Sequence, residues 1–235
     1  MEKILFEKLE DLDYRSNESY KTLRTNIQFS GSDVKTILFT SCTPNEGKSS
    51  VTFNLARAFA ENGSKVILID ADLRKSVLVG RYKVGEAKTG LSYYLSGQKE
   101  LSQVVNSTNI ENMDIIFSGK VPPNPAELLG NKLFKQMVES LSEQYDYVLI
   151  DSPPLGSVID SAVIAPVCDG AVLIIENNEI SYRFVQDVKQ QLVKTNCRIL
   201  GAVLNKVVMD KKGKYGGKYY GKYYGKYYGN YGNEA

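Results

Sequence analysis

Residues 36–50 read TILFTSCTPNEGKSS, which is a short apolar run followed by a tight polar turn and the triplet Gly-Lys-Ser. The apolar run has the length and character of a strand that is buried on both faces. A helix is predicted over residues 48–61, because apolar side chains recur four apart on one face at Val51, Leu55 and Phe59. A strand, a tight turn and a helix in this order place backbone N–H groups and a helix N-terminus where they can bind a phosphate group.

The turn also carries side chains that suit a nucleoside triphosphate. Lys48 is expected to reach the β- and γ-phosphate oxygens, and the hydroxyl of Ser49 is expected to ligate Mg²⁺. The consensus loop has glycine where this chain has Cys42, which is a departure from the motif. An ordinary strand-to-helix turn that happens to read GKSS is the alternative interpretation. The residues expected to contact ATP are Thr43, Pro44, Asn45, Glu46, Gly47, Lys48, Ser49 and Ser50.

Further apolar runs alternate with segments of helical period along the chain. Such alternation is typical of α/β proteins, in which helices cover both faces of a sheet. We therefore predict a P-loop NTPase-like fold of class α/β, with a doubly wound, mainly parallel sheet flanked by helices. The predicted strands are residues 36–40, 66–69, 114–117, 147–150, 171–175 and 201–204.

Three more helices are predicted from their apolar periodicity, over residues 17–29, over residues 182–195 and from Asn124 onward. The helix at Asn124 begins with Asn-Pro-Ala-Glu, which is a capping-box pattern, and is predicted to continue unbroken. Its buried stripe is expected to comprise Leu129, Leu133, Met137 and Leu141. The stripe of the first of these helices is expected to comprise Tyr20, Leu23 and Ile27.

Composition narrows the classes of function. The chain has 235 residues and a formal net charge of +2, so no strong basic field indicates nucleic acid as a partner. It contains no histidine, so acid–base chemistry must rely on carboxylates, lysines, tyrosines or cysteines. Its three cysteines lack the paired spacing of a zinc site or a disulfide framework, which favours a reducing compartment. No signal peptide or membrane span is expected, so work at a membrane would need a second protein.

Three acids follow predicted strands. Asp70 and Asp72 come directly after the second predicted strand, and Asp151 follows the fourth. Ligands of open α/β sheets bind at this edge, although a single Asp after a strand often only caps a helix. We expect Ser49, Asp72 and Asp151 to ligate Mg²⁺, which leaves Asp70 to accept a proton during phosphoryl transfer. The residues alone do not separate the roles of Asp70 and Asp72, so the predicted catalytic residues are Lys48, Asp70 and Asp72.

The composition changes abruptly after residue 208. The segment 209–235 repeats a Gly-Lys-Tyr-Tyr unit and is predicted to be a flexible tail, because it cannot build an apolar core. It holds eight of the 16 tyrosines. These tyrosines are either phosphate acceptors or groups that stack on nucleic-acid bases or polysaccharide, and the phosphate loop favours the first interpretation. The predicted acceptors are Tyr215, Tyr219, Tyr220, Tyr223, Tyr224, Tyr227, Tyr228 and Tyr231.

Several motifs together resemble those of bacterial tyrosine kinases, the capsular and exopolysaccharide autokinases. The phosphate loop, the Asp-x-Asp-x-Arg segment at residues 70–74 and the Asp-x-Pro-Pro segment at residues 151–154 match the Walker A, A′ and B motifs of that family. Residues 121–129 (VPPNPAELL) and 18–26 (ESYKTLRTN) also look like the family's own sequence. The resemblance runs from about residue 14 to about residue 208, and the tyrosine-rich tail completes it.

The resemblance implies an ATP-dependent protein-tyrosine autokinase that uses Mg²⁺ and phosphorylates tail tyrosines between neighbouring subunits of a ring. It also implies regulation of capsule or exopolysaccharide synthesis and export. The implied partners are a membrane-anchored activator protein, whose cytoplasmic tail stimulates the kinase, and a cognate phosphotyrosine phosphatase. The implied location is cytoplasmic, at the inner face of the cell membrane through that activator.

The resemblance also assigns residues outside the phosphate loop. The family's Glu-x-x-Arg-x-x-Arg ring contact matches Glu18, Lys21 and Arg24, with a lysine that cannot form a planar bidentate pair where the pattern has arginine. Related P-loop ATPases place an adenine-binding asparagine after the last strand, at Asn205 here, and a simple turn asparagine is the alternative. The predicted domains are residues 1–35 with an oligomerisation helix, 36–208 as the kinase core and 209–235 as the autophosphorylation tail.

A P-loop ATPase switch of the partition or septum-positioning type, which hydrolyses ATP without transferring phosphate, is the main alternative. Those proteins carry a signature lysine at the position of Thr43 here, and this chain shows no amphipathic C-terminal helix for membrane binding. An ATP-sensing adaptor or scaffold is a third interpretation, because motifs alone do not separate a binder from an enzyme.

Overall fold

The structure is a computed structural model that describes residues 3–7, 9, 11–82, 84 and 89–208. Within these residues the chain forms one sheet of eight strands, in the spatial order β1-β4-β5-β3-β6-β2-β7-β8. Neighbouring strands are parallel except for β4 and β5, which are antiparallel. The strands are β1 (Lys3–Ile4), β2 (Thr36–Ser41), β3 (Val66–Asp70), β4 (Asn106–Thr108), β5 (Met113–Ile116), β6 (Tyr147–Asp151), β7 (Gly170–Glu176) and β8 (Ile199–Asn205).

The mainly parallel sheet confirms the predicted fold class, and all six predicted strands are present. The two strands that the sequence did not predict are β1 and β4. Strand β1 has two residues, and β4 reads Asn-Ser-Thr, so neither shows the apolar run from which strands were predicted.

Eight α-helices and two short 3₁₀ turns connect the strands in the described part of the chain. The helices are α1 (Tyr14–Gln28), α2 (Lys48–Glu61), α3 (Leu78–Arg81), α4 (Leu91–Leu95), α5 (Pro125–Leu129), α6 (Lys132–Gln144), α7 (Asp160–Ile164) and α8 (Tyr182–Val193). The 3₁₀ turns are Leu101–Gln103 and Ala165–Val167. None of these helices combines the length and apolar character that crossing a bilayer requires.

The prediction of one unbroken helix from Asn124 is wrong. The chain leaves the helix at Gly130 and starts α6 afresh, with the side chain of Asn131 accepting the N–H of Phe134 at 2.9 Å. The interruption changes which face is buried, so Leu133 is exposed and Phe134 takes its place in the core. The predicted capping box is also absent among the described residues, because the amide of Asn124 donates to the Glu127 carboxylate instead of capping α5.

Helices cover both faces of the sheet. Alternate side chains of β2 point to opposite sides, with Leu38 in one apolar cluster and Ile37 and Phe39 in the other. The Leu38 side is filled by apolar residues of α6 and α8, and the opposite side by those of α2 and α1. The predicted stripe of α1 is confirmed, since Tyr20, Leu23 and Ile27 all pack into the second cluster.

The chain divides into two units, Met1–Asn205 and Lys206–Ala235. The first unit holds the whole sheet and all the helices described above. Of the second unit, residues 206–208 are described, and they form no helix or strand. The predicted tail, residues 209–235, lies outside the described residues.

Candidate functional site

The loop between β2 and α2 has the backbone shape of a phosphate cradle. Asn45 and Gly47 both have positive φ angles, 69° and 88°, and Gly47 directly precedes the first residue of α2. Positive φ values in a tight turn point successive N–H groups towards one side, where an anion can accept from them. Lys48 and Ser49 start the helix and are both buried, while Pro44 and Asn45 stay exposed at the rim.

Side chains fix this loop to the neighbouring strands. The Glu46 carboxylate accepts from the N–H and the hydroxyl of Thr43, and its other oxygen accepts the N–H of Glu176 at 2.8 Å, at the end of β7. The amide of Asn205, the last residue of β8, donates to the backbone carbonyl of Glu46 at 2.8 Å. The loop is therefore shaped in advance of binding, and the carboxylate of Glu46 is engaged within the protein.

The predicted acids meet at the same edge of the sheet. Asp70 and Asp151 are direct Cα partners on β3 and β6, and Asp151 is also paired with Phe39 of β2, just before the phosphate loop. Lys48 and Ser49 lie close enough to Asp151 to favour its ionised form. The structure thus places the phosphate loop, the end of β3 with Asp70 and the end of β6 with Asp151 next to one another.

Asp70 is completely buried. The hydroxyl of Ser76 donates to its Oδ2, whereas Oδ1 has no hydrogen-bond partner among the described residues. Burial and the adjacent charge of Asp151 raise the pKa of Asp70 to about 8, although the Ser76 hydroxyl opposes the rise. In the ligand-free chain a carboxyl group with this pKa is mostly protonated at neutral pH, and a cation bound beside it would favour the ionised form that can accept a proton.

Asp151 is also buried, and neither of its carboxylate oxygens has a partner in hydrogen-bonding geometry within the described chain. Burial raises the pKa of Asp151 to about 6, and the nearby charge of Lys48 and hydroxyl of Ser49 limit the rise. Two buried carboxylates with unpartnered oxygens beside a phosphate loop indicate a place for a cation.

Asp72 has a different environment from Asp70. Its Oδ1 accepts the backbone N–H groups of Arg74, at 3.2 Å, and of Lys75, at 2.9 Å. The carboxylate is therefore oriented by a short turn, and it retains slight exposure to solvent.

The donor set fits Mg²⁺ bound together with a nucleotide. Ser49, Asp72 and Asp151 offer one hydroxyl and two carboxylates, and Mg²⁺ prefers such oxygen ligands and keeps several waters. The described residues include no cluster of three or more acids, cysteines or histidines that could hold a metal ion. Phosphate oxygens and water would complete the coordination.

The predicted ring-contact residues lie on α1, away from this site. Glu18 and Lys21 form an ion pair with each other on α1 at 2.8 Å, with their side chains 42% and 47% exposed. Arg24 donates to the carbonyl of Ala58 in α2 at 2.8 Å. The predicted phosphate acceptors, Tyr215 to Tyr231, lie outside the described residues.

Some groups at the site were not predicted from the sequence. No sequence motif indicates Ser76, whose hydroxyl donates to Asp70. None indicates Asp160 either, which pairs with Arg74, 86 residues earlier in the chain. Cys42, at the position of the consensus glycine, is completely buried, and burial raises the pKa of its thiol to about 12, so it stays protonated.

Comparisons with known proteins find similar sequences and similar folds. The family model described as "AAA domain" matches residues 34–199. The tyrosine-protein kinase CpsD of Streptococcus pneumoniae is 45% identical over 204 residues, which cover 86% of this chain and 90% of the relative. The solved kinase domain of the Escherichia coli tyrosine kinase ETK superposes with a TM-score of 0.81 at 31% identity, covering 88% of this chain and 85% of that chain.

A more distant solved structure belongs to a different functional class. The septum site-determining protein MinD of Pyrococcus horikoshii, in complex with Mg-ADP, has a TM-score of 0.63 and 27% identity. The match covers 73% of this chain and 70% of that chain.

Proposed function

Because this chain belongs to the family of bacterial tyrosine-protein kinases, we propose that it transfers the γ-phosphate of ATP to tyrosines, chiefly those of its own tail. The observation that carries the proposal is the position of Asp70 and Asp151 side by side at the edge where Lys48 and Ser49 begin α2. This arrangement combines a phosphate cradle, a place for a cation and a buried carboxyl group that can accept a proton.

The nucleotide would be held mainly by the phosphate loop. N–H groups of residues 45–50 and the helix N-terminus would bind the phosphates, with the ammonium group of Lys48 on the β- and γ-phosphates. Ser49, Asp72 and Asp151 would ligate Mg²⁺ through one hydroxyl and two carboxylates. The similar MinD structure contains Mg-ADP, which supports a magnesium nucleotide as the ligand. The bound cation supplies neutralisation of the negative charge that develops on the phosphate oxygens.

Asp70 is the better candidate for the base that accepts the tyrosine proton. A phenol has a pKa near 10, so a carboxyl group whose pKa is about 8 is closer to it in proton affinity than an ordinary aspartate. The Oδ1 of Asp70 is unpartnered among the described residues, whereas the Oδ1 of Asp72 already accepts two backbone N–H groups. Asp72 is then better placed as a metal ligand.

Asn205 would contact the adenine. Its amide nitrogen donates to the Glu46 carbonyl, which places the side chain directly against the phosphate loop. The remaining N–H and the side-chain oxygen could then pair with the edge of the base.

The tail supplies acceptors, and a ring of subunits would present the tail of one chain to the site of the next. We place the ring contact on α1 at Glu18, Lys21 and Arg24, within the N-terminal segment 1–35. Residues 36–208 would form the kinase core and residues 209–235 the autophosphorylation tail. The two exposed side chains of the contact, Glu18 and Lys21, pair with each other in the single chain and could exchange partners in an assembly.

We further propose a cellular setting for this activity. A membrane-anchored activator would hold the chain at the inner face of the cell membrane and stimulate it, and a phosphotyrosine phosphatase would reverse the modification. Phosphorylation adds about −1.5 to −2 charges per tyrosine, so it would reverse the sign of the lysine-rich tail. This change would regulate capsule or exopolysaccharide synthesis and export.

The fold similarity to MinD supports one alternative, an ATPase switch that hydrolyses ATP without modifying protein. The two activities are distinguished by mixing chains. A full-length Asp151→Asn chain, which is inactive but has its tail, is combined with an active chain lacking residues 213–235. The kinase predicts labelling of the inactive chain by ATP, whereas ATP hydrolysis without labelling would support the switch.

A further inference from the structure

Helix α7 begins with Asp160, a completely buried acid outside the phosphate loop and the strand-end acids. Both of its oxygens are occupied by one partner, because Arg74 Nε donates to Oδ2 at 2.7 Å and Nη2 donates to Oδ1 at 2.8 Å. This fork-to-fork pairing fixes the plane of the guanidinium as well as its position, which a single hydrogen bond would not do.

Arg74 lies in the turn that orients Asp72. Its own backbone N–H donates to Asp72 Oδ1, and the N–H of the following residue, Lys75, donates to the same oxygen. A shift of the Arg74 side chain would therefore move the two donors that hold the Asp72 carboxylate. Asp160 acts on Asp72 through this short chain of contacts.

The next residue of α7, Ser161, reaches the other two strand ends. Its hydroxyl lies 2.9 Å from the hydroxyl of Thr40, at the end of β2, and 2.8 Å from that of Ser152, next to Asp151. It also donates to the carbonyl of Pro153 at 2.5 Å. All of these groups are buried, so the contacts are shielded from competing water.

We propose that Asp160 and Ser161 are positioning residues for phosphoryl transfer. They hold three segments in one fixed arrangement: the turn that carries Asp72, the end of β6 that carries Asp151, and the strand that enters the phosphate loop. Two consecutive residues of a short helix thus connect the three segments that supply the metal ligands. Glu46 and Asn205 tie the phosphate loop separately, so binding of the nucleotide's phosphates and placement of the metal ligands depend on different contacts. This inference rests on the proposed function.

The first test uses Asp160→Asn, which keeps the shape of the side chain but removes the charge and one of the two acceptors facing Arg74. Loss of a partner that orients a metal ligand typically weakens metal affinity or activity by 10- to 100-fold. We expect the Mg²⁺ concentration needed for half-maximal nucleotide binding to rise about tenfold. We expect the affinity for ATP measured in EDTA to stay within about twofold, because the phosphate loop keeps its own contacts.

Four further variants separate positioning from folding. Glu61→Gln neutralises an exposed acid that pairs with Arg57 at 2.7 Å, at the far end of α2, and should leave Mg²⁺ dependence unchanged. Arg74→Gln should match Asp160→Asn, and the double variant should be no worse than either single one, because both act through one contact. Ser161→Ala should give the same Mg²⁺ phenotype with a smaller change.

The outcomes are decisive whether or not the chain transfers phosphate. If Asp160→Asn raises the Mg²⁺ requirement of nucleotide binding while affinity in EDTA and Tm stay near wild type, the positioning role is supported, even if tyrosine labelling fails for another reason. Unchanged Mg²⁺ dependence overturns it. Equal losses of nucleotide affinity with and without Mg²⁺, or additive effects in the double variant, also overturn it, because a purely structural role would have those consequences.

Discussion

Asp70 and Asp151 are Cα partners on the adjacent parallel strands β3 and β6, and both side chains are buried. One oxygen of Asp70 and both oxygens of Asp151 lack hydrogen-bond partners among the described residues. Two unsatisfied carboxyl groups this close destabilise a folded protein unless a cation or protons compensate them. The pair therefore lowers the free energy of unfolding of the ligand-free chain, and we infer that it is there to bind a cation.

Asp70→Asn should stabilise the ligand-free protein at high pH. An unfolded Asp70 ionises near pH 4, whereas burial keeps the folded residue protonated up to its pKa of about 8. Its contribution to the unfolding free energy is fully present below pH 4 and is lost as the pH rises to about 8. The Tm of the variant should thus exceed that of wild type by several degrees at pH 8 and equal it near pH 4. A variant less stable than wild type at every pH would contradict the burial argument.

Gly47→Ala should weaken nucleotide binding, because the added methyl group would displace the Asn205 amide from the phosphate loop. A Cβ at this position would lie 2.2 Å from the Asn205 amide nitrogen, and the φ angle of 88° would add about 1 kcal/mol of backbone strain. Gly63→Ala is a matched control, since it has a φ angle of 87° but no heavy atom within 4 Å of the added Cβ. Calorimetric titration with ATP should show weaker binding by Gly47→Ala than by the control. Equal binding by both variants would show that the contact with Asn205 is unimportant.

Glu46→Gln should weaken ATP binding by about tenfold, because one carboxylate oxygen becomes an NH₂ group that cannot accept an N–H. The loop would lose its contact either with Thr43 or with Glu176. Glu139→Gln, which alters an exposed carboxylate on α6, serves as the control and should bind like wild type. Fluorescence titration with a nucleotide analogue measures both affinities, and an unchanged value for Glu46→Gln would mean that the loop keeps its shape without this clamp.

Removal of residues 213–235 should eliminate most autophosphorylation and leave nucleotide affinity nearly unchanged. The removed segment contains all eight predicted acceptors, and it follows in sequence the unit that ends at Asn205 and holds the phosphate loop. Phosphotyrosine content and ATP affinity are measured on the same preparations. A large loss of affinity would indicate that the tail contributes to the site itself.

The sequence predicted the central strands because they are buried on both faces and therefore read as continuous apolar runs, as in TILFT at residues 36–40. Strand β4 could not be predicted in this way, since its Asn-Ser-Thr sequence depends on pairing with β5. The break at Gly130 was missed because the apolar spacing continues across it, while the Asn131 cap acts locally.

The acids of the site could be predicted from their positions after strands, because parallel strands place their carboxyl ends at one edge. The residues that hold these acids in place could not be predicted from the sequence. The Arg74–Asp160 pair joins residues 86 positions apart, and Ser161 meets Thr40 from 121 positions away. Such contacts depend on where α7 packs against the sheet, and no local sequence pattern predicts that position.

The most direct test is phosphate transfer by the full-length chain incubated with ATP and Mg²⁺, with sites mapped by mass spectrometry. The wild-type chain should carry phosphate on tyrosines between Tyr215 and Tyr231, and so should Lys135→Met, a control that changes an exposed lysine of α6. Lys48→Met should carry none while keeping its fold. Hydrolysis of ATP by the wild-type chain with an unmodified tail, or equal labelling of the Lys48→Met chain, would contradict the assignment of this site as a tyrosine kinase.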